Sequence, residues 1–300
     1  MATVPEPLGP TKTDNSYFIQ DSGAELARLV EQERAFERAL GGLLPEHLDQ
    51  DAFLSPFRRV LDIACGSGGW ALTLAQTYPH LEVQGFDIDE RMIDYANSQA
   101  KVGRLENASF RVGDARKPLD YPGDFFDLVN ARWMAVIGAA AWPTTVKEMV
   151  RITKPGGIVR LTESEDFSIT NSPAFERWNQ LMMEAFKRSG VAFSPSGRTC
   201  GQTVMLNRFL RDAGCQNIQH KVLAINWSAD TADHAPMVED HLAILKLTQP
   251  FLLKLGIATQ GEIDRLYREA EIQMHLDDFC ALWYLYTIWG EKPADQALNR

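Results

Sequence analysis

One segment restricts the fold more than any other: Val60 to Trp70, VLDIACGSGGW. Here a branched apolar run passes into Gly66, Ser67, Gly68 and Gly69 and then into a helix-forming stretch. A strand turning this abruptly into a helix is the opening of a βαβ unit, and its glycines let the backbone approach a ligand at the helix N-terminus. A turn that needs only backbone freedom would use the same residues, so the surrounding pattern decides. From Arg59 onward the pattern repeats. Short β-branched runs near 59–63, 82–86, 108–112, 126–130 and 158–162 alternate with helical stretches near 68–77, 90–101 and 143–152. This rhythm predicts an α/β fold with a doubly wound, mainly parallel sheet.

The second half departs from strict alternation. Ser172 and Pro173 supply the cap and first-turn residue of a helix reaching about Ser189, with Phe175, Trp178, Met182 and Ala185 on one face. A helix over 202–213 ends at Gly214, and a sixth strand follows over 218–227. A helical stretch over 236–275 is broken at Pro250. Cys280 to Trp289 is apolar on both faces and is expected as an antiparallel seventh strand, stopped by Gly290 to Pro293. Upstream, a helix over 22–40 opens with a capping box, Ser22 to Glu25, and closes at Gly41 and Gly42. The expected organisation is a flexible tail (1–16), an N-terminal helical lid (17–55), a core (56–230) with a helical insert (170–200), a second insert over the site (231–276) and a final strand (277–293).

Composition narrows the partners. Forty acidic against thirty basic residues give a formal charge of −10, so there is no overall positive field to collect phosphates, and nucleic acid is not an expected partner. The longest apolar run, Phe279 to Trp289, falls short of the roughly 20 residues of a membrane helix. The N-terminus has no secretory pattern, and Cys65, Cys200, Cys215 and Cys280 have no paired spacing; a cytoplasmic protein is expected.

Two acids mark the ends of neighbouring strands. Asp87 closes the second, where a carboxylate can accept both hydroxyls of a ribose, although it or Asp89 would also serve as an N-cap for the helix from Glu90. Asp114 ends the third, within reach of an adenine amino group. With these residues the stretch from Val60 through Leu161 resembles the class I S-adenosylmethionine-dependent methyltransferases, and YTIWGEKP (286–293) is similar to that family's last strand. The resemblance implies S-adenosyl-L-methionine as cofactor. It places Gly66 and Gly68 against the methionine and ribose portions, Asp87 on the ribose diol, Ile88 beside the adenine, and Asp114 with Ala115 at the adenine edge. It also implies that Asp62 anchors the amino group and that Asn130 contacts the methionine end, while KPGG (154–157) matches the turn before strand five. Ala64 stands where the family's loop begins with glycine; a small side chain suffices there. Position 71 is not glycine, which disfavours the dinucleotide fingerprint and an NAD-dependent oxidoreductase.

Methyl transfer from a sulfonium is an in-line displacement that depends mainly on alignment in a dry cavity. Asn130, Ala131, Arg132 and Trp133 occupy the place of the N-P-P-Y signature of many base N-methyltransferases, which argues against nucleobase amines. Acceptor contacts are expected from Arg132 and Trp133 after strand four and Glu163 after strand five. Glu163, Glu165 and Asp166 form either an orienting or basic group or a solvated acidic loop. His241 and His275 are further candidates for a base, each more simply a surface or core histidine. His234 and His241, about 10.5 Å apart along a helix, do not share a metal, and no metal site is expected. Tyr17, Arg28 and Gln32 are candidates to close over the methionine carboxylate, or else serve ordinary helix packing and solvated charge. Met182, Met183, Phe186, Phe209 and Leu253 suggest a lid over a small, largely apolar acceptor. The expected activity is methyl transfer to oxygen, nitrogen or carbon of such a molecule, in secondary metabolism, by a monomer or homodimer. The alternative is a protein that binds the cofactor without transferring the methyl group.

Overall fold

The computed structural model describes Ile19 and residues 22–294. Tyr17 and the expected tail over 1–16 lie outside the described residues.

Strands β1 (Arg59–Ile63), β2 (Glu82–Asp87), β3 (Ala108–Val112), β4 (Phe126–Arg132) and β5 (Thr153–Ser164) form the parallel part of one sheet. β8 (Ala281–Glu291) runs antiparallel between β5 and β7 (Gln216–Asn226), giving the order β3-β2-β1-β4-β5-β8-β7. A two-residue β6 (Ile169–Thr170) pairs with the start of β8 and has no counterpart in the sequence reading. KPGG does not precede the fifth strand. It lies inside β5, where the register against β4 shifts between Phe126 and Leu128 and Gly156 takes φ +77°. Extended pairing carries the strand back to Thr153 through this irregularity.

Strand alternation gives each side of the sheet its own core. Val60, Val83, Leu128 and Ile158 point to one face. There they meet Trp70 and Leu74 of α3 (Gly69–Thr77) and Ile93 and Ala96 of α4 (Glu90–Val102). Leu61, Ile63, Val129 and Val159 point to the other and meet α5 (Trp142–Ile152) and α7 (Thr203–Asp212). Phe209 belongs to this second core, stacked on Trp142 with ring centroids 5.8 Å apart, rather than to a lid. Gly214 follows α7 at φ +98°, the left-handed residue that ends a helix without a Cβ penalty.

A third core sits beyond the strand ends. It is built from α1 (Ser22–Leu40), α6 (Pro173–Arg188), α8 (His234–Leu247) and α10 (Gln260–Met274) on the inner ends of β7 and β8. The Ser172 hydroxyl accepts from the Phe175 N–H at 3.1 Å and caps α6, with Pro173 in its first turn. The 236–275 stretch breaks twice. α9 (Gln249–Lys254) is separated from α8 by Thr248, two residues before Pro250, and from α10 by the turn around Gly256 at φ +62°. A five-residue α2 (Gln50–Leu54), capped by Asp49, completes the helices. Leu253 is exposed on α9, and Met182 is packed within the third core, so neither faces a ligand space. Among the described residues, no helix is long and apolar enough to cross a membrane.

Candidate active site

Strand order reverses between β1 and β4, and there the connections diverge to opposite faces and leave a crevice beyond the carboxyl ends. A cavity of about 1010 Å³ fills it. Ala64, Gly66, Asp87, Ile88, Asp114 and Ala115 line it from β1 to β3, and Arg132 and Trp133 line it from β4. The sequence-predicted cofactor residues other than Tyr17, Arg28, Gly68 and Asn130 therefore converge on one space.

Asp87 is the pivot of that wall. One carboxylate oxygen accepts from the Gly66 N–H at 2.9 Å and the other from the Asp89 N–H at 3.0 Å, so the acid braces the glycine turn while bordering the cavity. Burial raises its pKa, and the backbone donors at Asp89 and Gly66 oppose the rise. Asp89, not Asp87, caps α4, accepting from the Arg91 N–H at 2.9 Å. Beside it the Ile88 side chain is 46% exposed, an apolar surface left bare at the cavity edge. Gly66, at φ +53°, has space around it: a Cβ there would meet only Leu29, at 3.6 Å.

Gly68 does different work. A Cβ on it would come within 2.8 Å of Ala96 and 3.0 Å of Phe110, so this glycine permits α3 to pack on α4 and β3 and does not face the ligand space. Ala64 adopts φ +55° and Trp133 φ +50°, two non-glycine residues in the left-handed region on the same rim. Such strain survives only where surrounding structure imposes it. Ala64→Gly should be tolerated, whereas Ala64→Val should destabilise the fold by about 2 kcal/mol, because a β-branched residue is poorly accommodated at positive φ. Urea denaturation of the two variants checks this.

Asp62 and Asn130 separate into two roles. Asp62 borders the cavity, and burial pushes its carboxyl up to about 6 against the opposing effects of Arg132 and Asn130. Its Oδ1 accepts from Asn130 Nδ2 at 2.7 Å, and its second oxygen has no hydrogen-bond partner among the described residues. Asn130 itself is fully buried; its carbonyl accepts from Arg160 Nη1 at 2.8 Å. Donor and acceptor are both used, so Asn130 holds Asp62 from behind and is not a direct contact.

Asp114 lines the cavity with its carboxylate already bidentate on Arg116, at 2.8 Å to each oxygen, which holds its pKa below the ordinary range. An amino group arriving there shares those oxygens with the guanidinium. Arg132 pairs with Glu33 of α1 at 2.7 Å, and its Nε is buried without a partner. Trp133 stacks on Phe36 with centroids 4.8 Å apart, its indole N–H likewise unpartnered.

The remaining candidates gather in a second, smaller cavity of about 130 Å³, bordered by Arg28, Glu163, Glu165, Asp166 and His241. It shares Leu29, Gln32 and Trp133 with the large one. Arg28 does not reach the expected methionine end. Its guanidinium meets both oxygens of Glu25, at 2.7 and 2.8 Å, and Asp240 at 2.7 Å. His241 is buried with Nδ1 2.7 Å from the Met237 carbonyl and Nε2 2.9 Å from that of Phe167. Burial lowers its pKa, and with both ring nitrogens facing backbone carbonyls it is a packed core histidine, stacked on Trp227. His275 is exposed at the end of α10 and is not at either cavity. Among the described residues, no three His, Cys, Asp or Glu side chains converge to hold a metal.

Glu163 is buried on the floor of the small cavity, accepting from the Met134 N–H at 2.6 Å and Gln202 Nε2 at 3.0 Å. Burial pushes its carboxyl from 4.5 up to about 8, so near neutrality the group is mainly protonated. The folded chain then keeps a proton that the unfolded chain has released, and stability falls as pH rises from about 4.5 to about 8. Melting temperatures across that range should show a shallower decline for Glu163→Gln than for the parent. A residual slope is expected from Asp62 and Asp166, whose carboxyls burial pushes up to about 6.

Sequence reasoning passed over Glu33, Arg116, the 134–141 segment and the 188–191 turn, all of which border the large cavity. Glu33 was legible. Leu29, Gln32, Glu33 and Phe36 lie on one helical stripe, and Arg28 sits to its side.

Residues 60–157 match the family model described as "Methyltransferase domain". A demethylmenaquinone methyltransferase of Geobacillus kaustophilus is 32% identical over 131 residues, 43% of this chain and 53% of that protein. Phosphoethanolamine N-methyltransferase 3 of Arabidopsis thaliana is 31% identical over 122 residues, 41% of this chain and 24% of its own length. The chain spans about half the length of the first curated relatives it matches. Among solved structures, YcgJ protein from Bacillus subtilis superposes with a TM-score of 0.50 at 20% identity, covering 79% of this chain and 92% of the other. Phosphoethanolamine N-methyltransferase 2 of Haemonchus contortus does so with 0.50 at 18% identity, covering 93% and 60%. At these identities the structural likeness establishes the fold.

Proposed function

We propose, from the premise that this chain belongs to the class I S-adenosylmethionine-dependent methyltransferases, that the large cavity binds S-adenosylmethionine together with a small, largely apolar acceptor that receives its methyl group. The observation that carries the reading is Asp87. It is a carboxylate fixed by two backbone donors at the end of β2, bordering the cavity beside the bare Ile88 surface and the open face of Gly66.

The residues suit the group. Asp87 retains lone pairs for a ribose diol, Ile88 and Ala115 flank a planar base, and the Asp114–Arg116 pair borders its edge. Asp62, with one oxygen unpartnered, and the Glu33–Arg132 pair offer opposite charges to the ammonium and carboxylate of an amino acid. Bound there, S-adenosylmethionine supplies an electrophilic methyl group on a sulfonium. Val136, Ile137, Phe186, Val191 and Phe251 line the rest of the space and exclude water from the transfer. Neither Glu163 nor His241 lines this cavity, and Asp62, Asp87 and Asp114, which do, are assigned to the cofactor, so the transfer rests on alignment and desolvation. The helical layer of α1, α6 and α8–α10 serves as a lid over the strand ends. A role in secondary metabolism, in the cytoplasm, fits an apolar acceptor and four unpaired cysteines.

Incubation with methyl-labelled S-adenosylmethionine and an extract of small apolar metabolites should yield labelled product. Tight binding of S-adenosylhomocysteine with no label transferred to any acceptor would favour the binding-only alternative. No binding of either compound would remove the cofactor reading.

A further inference from the structure

We infer that the small side cavity seats a protonated amine carried by the acceptor. The inference rests on the reading of the large cavity as cofactor and acceptor space, whose wall along Leu29, Gln32, Trp133, Val136 and Phe186 the side cavity shares.

Its lining has two kinds of surface. Trp133, Phe167 and Trp283 contribute aromatic rings, and Glu163, Glu165, Asp166 and Asp240 contribute carboxyls. Two of the four acids have partners that meet their needs. Asp240 receives Arg28 and Gln32, and Glu165 receives the Gly201 N–H and the Thr203 hydroxyl. The other two do not. Glu163 is 1% exposed and meets only N–H donors, from Met134 and Gln202. When protonated it has no acceptor for its own hydrogen, and when ionised it has no cation beside it. The Asp166 carboxyl has no hydrogen-bond partner among the described residues, and its charged neighbours are Glu165 and Glu176, of its own sign. Arg28, the one cationic side chain of the lining, is already engaged by Glu25 and Asp240.

A neutral amine arriving beside protonated Glu163 takes its proton, and the ammonium so formed pairs with the carboxylate left behind and with Asp166. The ammonium brings positive charge between unpaired carboxyls, carries several N–H donors, and is attracted to indole and phenyl faces. A carboxylate or phosphate would meet like charge and a guanidinium, Arg28, already committed to Glu25 and Asp240. A hydroxyl would accept the Glu163 hydrogen but bring no positive charge to Asp166, whose neighbours Glu165 and Glu176 carry its own sign. An inorganic cation lacks its ligands, since no three side chains converge to metal-binding spacing among the described residues. The acceptor class is thus an apolar body for the large cavity bearing a basic nitrogen that reaches past Trp133.

The test uses the full chain saturated with S-adenosylhomocysteine and three probes of one shape: phenethylamine, phenethyl alcohol and hydrocinnamate, followed by ligand-observed saturation-transfer NMR titration. The amine is expected to bind at least about tenfold more tightly than either of the others. Asp166→Asn and Glu163→Gln should each shrink that preference at least about threefold. No detectable amine binding, equal binding of the alcohol, or a preference that survives both substitutions would overturn the assignment. A separate calorimetric titration with S-adenosylhomocysteine keeps the two readings apart. Retained affinity with no amine preference sinks the subsite alone, and lost affinity in the parent protein sinks the cofactor site on which it rests.

Discussion

Asp87→Ala is expected to weaken S-adenosylhomocysteine binding by about 2–3 kcal/mol, which is roughly thirty- to a hundred-and-fifty-fold in Kd, through loss of charge-assisted hydrogen bonds to a ribose diol. The same substitution removes the acceptor from Gly66 N–H and Asp89 N–H. A stability loss of about 1–2 kcal/mol should accompany it, because two donors at the turn lose their partner. Calorimetry with the ligand and urea denaturation without it separate the two effects. A variant that is less stable yet binds with unchanged affinity would reduce Asp87 to a brace for the turn.

The second large effect lies behind the cavity. Arg160→Met should destabilise the chain by about 3–5 kcal/mol and lower its melting temperature by roughly 10 °C. Arg160 and Glu46 face each other through two hydrogen bonds, with side-chain exposures of only 3% and 0%. Burial works against the ionised Glu46, and the guanidinium overcomes it, leaving the pKa of Glu46 below the ordinary range. Removing the arginine strands that charge. Adding Glu46→Leu should restore much of the loss, because the pair replaced together no longer leaves a buried ion. A single-variant cost below about 1 kcal/mol would mean the carboxylate finds water. Arg160 also holds Asn130, which holds Asp62 at the cavity, so the variant should weaken ligand binding as well.

These two sites differ in how far the sequence revealed them. Asp87 was readable because it closes a strand whose period of two is written in EVQGFD and precedes a helix opened by Asp89. Arg160 was not. It sits in the middle of an apolar strand, and its partner Glu46 lies 114 positions away in a loop with no periodic signal. The methionine-end reading of Arg28 and the base reading of His241 gave way to their packing alternatives for a related reason. Both lie on helices whose residue spacing was read correctly, but the face each helix turns to the crevice depends on how α1 packs against α8.

What the chain settles on its own is therefore local: alternating short strands and helices, the glycine turn after β1, and acids at two strand ends. Each follows from periodicity or turn chemistry within a few neighbouring residues. What only the folded molecule decided is which polar groups are left wanting a partner. Arg28 finds Asp240 across 212 residues and is satisfied, while Glu163 and Asp166 face a cavity with no cation to meet them. That outcome depends on burial and on long-range packing, which no stretch of sequence contains.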